Sequence, residues 1–235
     1  FRGSGAEVIK LFIENNYKVY SLDKNFKKKI EYIENNVNYK IDLSDFNQIK
    51  RFANFIKKKE KKIDCLINNA GISLVKNKNI NTYWNKTLSV NLNAIFFITE
   101  FLLPLLKKSK FASIVNISSI SSKVAMSKNP AYNAAKAGVL ALTASQALDY
   151  SNFKIRSNAI CPGYIKTNMT KKSFQNIKLR NERLKRLIIK RYGEPEEVAN
   201  LVHFLCTEKS KYINGQDIVI DGGLTKRGIW PIYDN

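Results

Sequence analysis

The 235-residue sequence predicts an α/β domain in which a doubly wound parallel sheet is covered by helices on both faces, a three-layer arrangement. Three observations predict it. Short Ile/Val-rich runs alternate with amphipathic stretches throughout, the pattern of repeated strand–helix units. Four of these runs break into small or polar clusters: Asn68-Asn69-Ala70-Gly71, Ser118-Ser119, Pro162-Gly163 and Asp221-Gly222-Gly223. Such clusters mark the ends of strands. No linker, repeat or low-complexity segment divides the chain, and residues 1–235 suit a single domain with one sizeable core.

Taken in order, residues 5–15 read as a helix and 18–22 as a strand running into Asp23. A further strand covers 38–41. Within 46–58, Ile49, Phe52, Phe55 and Ile56 fall on one face of a helix. Residues 63–67 form a strand, and the long helical region 82–106 carries Asn91 near its middle. Its apolar part, 95–106, includes Glu100 and Pro104; it is too short to span a bilayer and reads as a buried helix. A strand at 113–117 precedes a helix at 132–150, rich in Ala and Leu and free of Pro. After a strand at 155–160, residues 167–191 become polar and strongly basic. Pro195 opens another helix at a favourable first-turn position, with Glu196 and Glu197 near its positive end. Residues 218–220 make the last strand.

Composition narrows the function classes. Forty Lys and Arg against nineteen Asp and Glu give a net charge of +21, an excess that could mark a nucleic-acid binder. The lysines are instead spread over 27–29, 57–62, 107–110 and 171–172, in a chain also rich in Asn and Ile, and no nucleic-acid recognition motif accompanies them. Solvated surface charge is the simpler reading, and an acidic ligand or partner the other. Three widely spaced cysteines, Cys65, Cys161 and Cys206, lie in apolar runs, as reduced core thiols of a cytoplasmic protein do; neither a disulfide framework nor a metal site is expected. The single histidine, His203, makes neither a catalytic triad nor a zinc site. No segment reads as a signal peptide.

Chemistry concentrates at Tyr132 and Lys136. Four residues apart on a helix, they share one face. The ammonium favours the phenolate and is expected to pull the tyrosine pKa down from about 10. A phenol tuned in this way can exchange a proton with a carbonyl or alcohol oxygen. The spacing alone also suits an exposed, solvated pair.

The order Asn-Asn-Ala-Gly71, Ser119, Tyr132-x-x-x-Lys136, Pro162-Gly163 and Asp221-Gly-Gly223 resembles the short-chain dehydrogenase/reductase family, NAD(P)-dependent oxidoreductases on a Rossmann-type fold. The resemblance runs from Gly3 to Gly223. It implies a catalytic set of Asn91, Ser119, Tyr132 and Lys136. Ser119, thirteen residues before Tyr132, would hold the substrate oxygen and Tyr132 would transfer the proton. Lys136 would lower the Tyr132 pKa and bind the nicotinamide ribose, and Asn91 would hold a water leading to solvent.

On the cofactor side, Phe1-Arg-Gly-Ser-Gly5 looks like the end of the family's glycine-rich loop, with Gly3 and Gly5 matching its second and third glycines. The family's first strand and first glycine are absent from the sequence. Its neighbours would then be left unpaired on facing edges; either the sequence is a portion of a longer chain, the favoured explanation, or this form is compromised in folding and cofactor binding. Asp23 would accept from the adenosine ribose and repel a 2′-phosphate, which favours NAD; Arg2 and Lys24 leave NADP open. Asp23 also reads as a turn residue. Asp42 and Leu43 resemble the adenine contact, although Asp42 equally suits the approach to a helix at Phe46. Asn69, Ala70 and Gly71 resemble the segment beside the adenosine ribose, and Pro162, Gly163, Ile165 and Thr167 the turn over the nicotinamide.

The resemblance implies a carbonyl reductase or secondary-alcohol dehydrogenase, with a small carbonyl or alcohol as substrate. An NADPH-dependent β-ketoacyl-acyl-carrier-protein reductase shares the same motifs. The incomplete glycine loop motivates a third reading, a non-catalytic binding or scaffold protein. The basic stretch resembles the family's mobile substrate segment and suggests an anionic substrate, or simply a solvated amphipathic helix. Relatives assemble as homotetramers through the helices around Asn91 and Tyr132, so a homo-oligomer, tetramer or dimer, is expected; neither a membrane nor a nucleic acid is.

Overall fold

The structure is a computed structural model that describes residues 3–74 and 79–226. Helix α1 (Ser4–Glu14) leads into β1 (Val19–Asp23), which pairs in parallel with β3 (Asn36–Lys40). Strand β2 (Ile30–Ile33) adds to β3 antiparallel. The second sheet is parallel throughout. Its strands β4 (Cys65–Asn68), β5 (Ser113–Ile117), β6 (Arg156–Pro162) and β7 (Asp217–Ile220) stand side by side in chain order.

No strand among the described residues joins β1 to β4. Residues of both line a cavity of about 750 Å³. This is where the sequence expects two strands left without their common neighbour.

The sequence pattern does not predict β2. Its four residues are too few to show alternation, and it pairs with β3 because Glu34, at φ 45°, reverses the chain. Strand β3 starts two residues earlier than expected because its asparagines are buried yet satisfied. The Ser21 hydroxyl donates to Asn36 (2.6 Å), Asn36 to Asn38 (2.8 Å) and Asn38 to Glu31 (3.3 Å). A buried polar group costs little when every partner is supplied.

Strand β5 shows how the layers form. Ile114 points into a core shared with Ile49, Phe52 and Ile56 of α2 (Phe46–Lys59) and Ile98 and Leu102 of α4 (Ala94–Leu106). Val115 and Ile117 point to the other face, against Val8 and Phe12 of α1 and Val198 and Val202 of α8 (Pro195–Cys206). Each fully buried Ile or Val contributes roughly 1.5–3 kcal/mol.

Residues 80–106 form one helical rod of 27 residues: α3 (Ile80–Leu88), a π-helical turn (Ser89–Asn93) and α4. By length and composition the whole rod, unlike 95–106 alone, is long and apolar enough to cross a bilayer. Ile95, Ile98, Leu102, Leu105 and Leu106 are nevertheless buried inside the fold, so the rod is a core helix. Helix α5 (Pro130–Asp149) begins two residues before the expected start, with Pro130 in its first turn. The basic stretch folds into α6 (Lys171–Gln175) and α7 (Ile177–Arg186), the latter with no buried residue.

Candidate active site

Tyr132 and Lys136 lie in the first two turns of α5, and both are buried, at 8 % and 3 % exposure. The solvated reading of the pair is thereby excluded. Lys136 Nζ stands 5.8 Å from the centre of the Tyr132 ring. It donates to the Ile117 carbonyl, at the end of β5, at 2.6 Å. Ser118, next in the chain, fixes the helix to the strand by donating to the Lys136 carbonyl at 2.8 Å. Ser119 follows in extended conformation and accepts the Ser121 N–H at 3.1 Å, with its hydroxyl near enough to Tyr132 to lower the phenol's pKa.

Asn91 reaches the same place from the π-helical turn, a feature that inserts one residue into a helix and is frequent at functional sites. Fully buried, it clamps Ile72 from both sides: its Oδ1 accepts the Ile72 N–H and its Nδ2 donates to the Ile72 carbonyl, each at 2.8 Å. A Cβ on Gly71 would lie 3.2 Å from Asn91 Oδ1 and 3.6 Å from Lys136 Nζ. Gly71, Asn91 and Lys136 therefore converge on one hollow that a side chain would fill.

The residues expected to hold a dinucleotide fall into two neighbouring groups. Gly5, Asp23, Leu43, Asn69 and Ala70 all line the large cavity between β1 and β4. Gly3 and Thr167 line a smaller cavity of about 230 Å³, with Glu7, Lys166 and Lys171. Gly3 is the N-cap of α1 at φ 76°, and no side chain caps that helix end. A Cβ there would stand 3.2 Å from the Thr167 side chain. Glycine at the open, positive end of a helix suits a pyrophosphate. Gly163 sits against Asp221, whose backbone Cα would be 2.8 Å from an added Cβ.

Two further expected contacts already have partners within the fold. The Ile165 side chain is in the core with Val8 and Phe12, so only its backbone is left to face a ligand. Asp42 spends its carboxylate on Ser44, accepting the N–H at 2.9 Å and the hydroxyl at 2.7 Å, and these bonds hold it below the usual carboxylate range. Asp45, not Asp42, caps α2. Asp23 accepts the Asn25 N–H at 2.8 Å, so it also serves as a turn residue.

The family model described as enoyl-(acyl carrier protein) reductase matches residues 1–225. The chain belongs to the short-chain dehydrogenase/reductase family. Among its relatives, the 3-oxoacyl-[acyl-carrier-protein] reductase FabG of Thermotoga maritima is 39% identical over 193 residues, covering 79% of this chain and 76% of the relative. The meso-2,3-butanediol dehydrogenase of Serratia marcescens is 37% identical over 188 residues, 79% of this chain and 73% of the relative. A solved 4-hydroxyisoleucine dehydrogenase complexed with NADH superposes with a TM-score of 0.87 at 27% identity, over 97% of this chain and 96% of that one. As a short-chain dehydrogenase/reductase, the protein is an NAD(P)-dependent oxidoreductase acting on CH–OH groups and carbonyls. The hollow at Gly71 and the uncapped start of α1 fit that cofactor.

Electrostatics in this member of the family differ from the simple expectation. Burial pushes the Tyr132 phenol above its ordinary value, and the Ser119 hydroxyl works against that rise. Burial lowers Lys136 to about 8. The ammonium therefore does not by itself bring Tyr132 down. Burial is the leading cause of the Tyr132 shift, and the Lys136 ammonium is turned to the Ile117 carbonyl.

Sequence reasoning missed three residues beside the site. The Tyr83 hydroxyl donates to Asn129 Oδ1 at 2.9 Å, and Asn129 Nδ2 donates to Ser73 Oγ at 2.9 Å. Nothing in the sequence distinguishes Tyr83 from other apolar residues of its helix, and Asn before Pro reads as an ordinary turn. The basic stretch resolves partly into pairs. Lys166 bonds Glu194, Arg191 holds Glu197 with two 2.7 Å bonds, and Arg183 stacks 4.5 Å from the Tyr164 ring centre. Lys171, Lys178, Arg186 and Lys190 are exposed.

Proposed function

We propose that Tyr132 is the proton-transfer group of this oxidoreductase, with Ser119 holding the substrate oxygen beside it. The convergence of Gly71, Asn91, Lys136, Tyr132 and Ser119 at the ends of β4 and β5 carries the reading. Bound NAD(P)H supplies the hydride for the substrate carbon. Ser119 and Tyr132 orient the carbonyl, and the phenol, protonated at neutral pH like any tyrosine, donates its proton to the oxygen in reduction. Lys136 and Asn91 shape the ribose side of the hollow, and Asn91 would hold a water that connects Lys136 to solvent. Residues 1–235 act as one dinucleotide-binding domain in the cytoplasm. Asp23 at the end of β1 supports NAD as the cofactor. The exposed Phe96 and Phe46, packed on Phe97 and Phe101, support a homo-oligomer with an interface on α4.

Tyr132→Phe is expected to abolish turnover while leaving NADH binding close to wild type. Retained turnover would defeat the assignment. Failure of the wild-type chain to bind either dinucleotide would instead favour the scaffold reading.

A second reading, reduction of a 3-oxoacyl group on an acidic carrier protein with NADPH, is supported by the likeness to the Thermotoga maritima reductase and by the exposed cations of α6 and α7. It requires KM for a carrier-bound substrate to rise steeply with salt while kcat stays level. A salt-independent KM would remove it.

A further inference from the structure

Helix α5 starts in an unusual way. Asn129 is its N-cap, a residue type that normally accepts an N–H of its own first turn, yet it makes no such bond. Its buried side chain turns away from α5, accepting from the Tyr83 hydroxyl and donating to Ser73. The vacated role passes to another helix, because the Tyr83 oxygen accepts the Ala131 N–H at 3.3 Å. Tyr83 is 2 % exposed and its hydroxyl bonds both residues. The residue after Ala131 is Tyr132.

A second connection closes the arrangement. Ser73, held by Asn129, follows Ile72, which is clamped by Asn91. Adjacent residues of one loop are thus tied to the two halves of the site, Asn91 on one side and the start of α5 on the other. A phenylalanine at position 83 would fill the same volume, so packing alone does not require the hydroxyl.

We propose that Tyr83 and Asn129 are positioning residues for proton transfer: the Tyr83 hydroxyl caps α5 in place of Asn129, and the freed Asn129 amide ties Tyr132 to the loop held by Asn91. Neither touches the reacting atoms. The proposal rests on the reading of Tyr132 as the proton-transfer group. Its physical basis is the sensitivity of such chemistry to position, where a displacement of about 1 Å can cost roughly 100-fold in rate.

The test compares wild type, Tyr83→Phe, Asn129→Ala and Tyr132→Phe, using NADH and NADPH with diacetyl and an acetoacetyl thioester as probes. Both positioning variants are expected to keep the wild-type dinucleotide Kd and to lower the unfolding midpoint only by the few degrees that loss of one helix cap costs. Their kcat is expected to fall about tenfold or more, with a displaced pH profile. Amide exchange over 129–133 should quicken about tenfold with α3 unchanged. An unaltered kcat and pH profile in Tyr83→Phe would overturn the proposal, as would quickened exchange throughout α3, the sign of a merely structural role. Should Tyr132→Phe retain its rate, or neither probe be reduced by wild type, the functional reading fails. The exchange pattern at 129–133 then still decides whether Tyr83 caps α5.

Discussion

Lys136 donates its 2.6 Å hydrogen bond to the carbonyl of Ile117 and not to the phenol of Tyr132, one turn away on the same helix. The bond ties the second turn of α5 to the end of β5 and leaves a buried ammonium with no carboxylate beside it among the described residues. Burial therefore dominates and lowers Lys136 to about 8.

This has a consequence for stability. An unfolded lysine titrates near 10.4, so between pH 8 and that value the unfolded chain binds more protons than the folded one, and stability rises with pH. Below pH 8 both states are protonated and the folded state carries the whole penalty, about 3 kcal/mol. Lys136→Met removes it. Urea unfolding of wild type and variant at pH 7 and pH 10 should show the stability gap shifting toward wild type by an amount of that order. Parallel curves would show that Lys136 is not desolvated. Turnover should be lost in the variant.

Ser119 opposes the rise in the Tyr132 pKa. Removing its hydroxyl should let that pKa climb further, so the limb of the pH profile that needs phenolate, seen in alcohol oxidation, moves to higher pH in Ser119→Ala. Loss of the substrate contact should also lower kcat by about 100-fold, the usual scale for one preorganised donor. A limb that stays in place would mean that another group sets it.

The proposed catalytic set was legible in sequence partly through local rules and partly through the family resemblance, which alone singled out Asn91. Tyr132 and Lys136 share a helix face by spacing alone, and Ser119 and Gly71 end apolar strands. What escaped depends on tertiary contacts. The short strand β2 exists because β3 offers it an edge, and the fit of Asn36 and Asn38 within β3 depends on partners in β1 and β2. Tyr83 was invisible for the same reason, since its role is set by an N–H 48 residues away. The sign of the Tyr132 shift was also missed. Spacing puts the ammonium nearby, but whether charge or burial prevails depends on where the ammonium points.

Gly163 tests the close approach at the end of β6. An added Cβ would stand 2.7 Å from the Asp221 Cβ and 2.8 Å from its Cα, and backbone cannot yield as a side-chain tip can. Gly163→Ala should therefore destabilise by about 1–3 kcal/mol, the usual cost of overpacking. Dinucleotide affinity should fall with it, because the displaced turn runs into Thr167 beside Gly3. A variant with wild-type stability would show that β6 and β7 separate freely here.

Asp23 decides the cofactor prediction. Its carboxylate accepts the Asn25 N–H, so Asp23→Asn keeps an acceptor oxygen for that turn while removing the charge. Two like charges about 4 Å apart repel by about 4 kcal/mol at an effective dielectric constant near 20, and exposure reduces this. A tenfold rise in the NADP-to-NAD ratio of kcat/KM needs only about 1.4 kcal/mol of relief. The variant should show at least that rise with an unchanged unfolding midpoint. An unchanged ratio would reduce Asp23 to its turn and leave the choice of cofactor to the cations around it. A rise in the ratio would locate the 2′-position of the adenosine ribose beside the end of β1, and the adenine with it toward Leu43 on the wall of the same cavity.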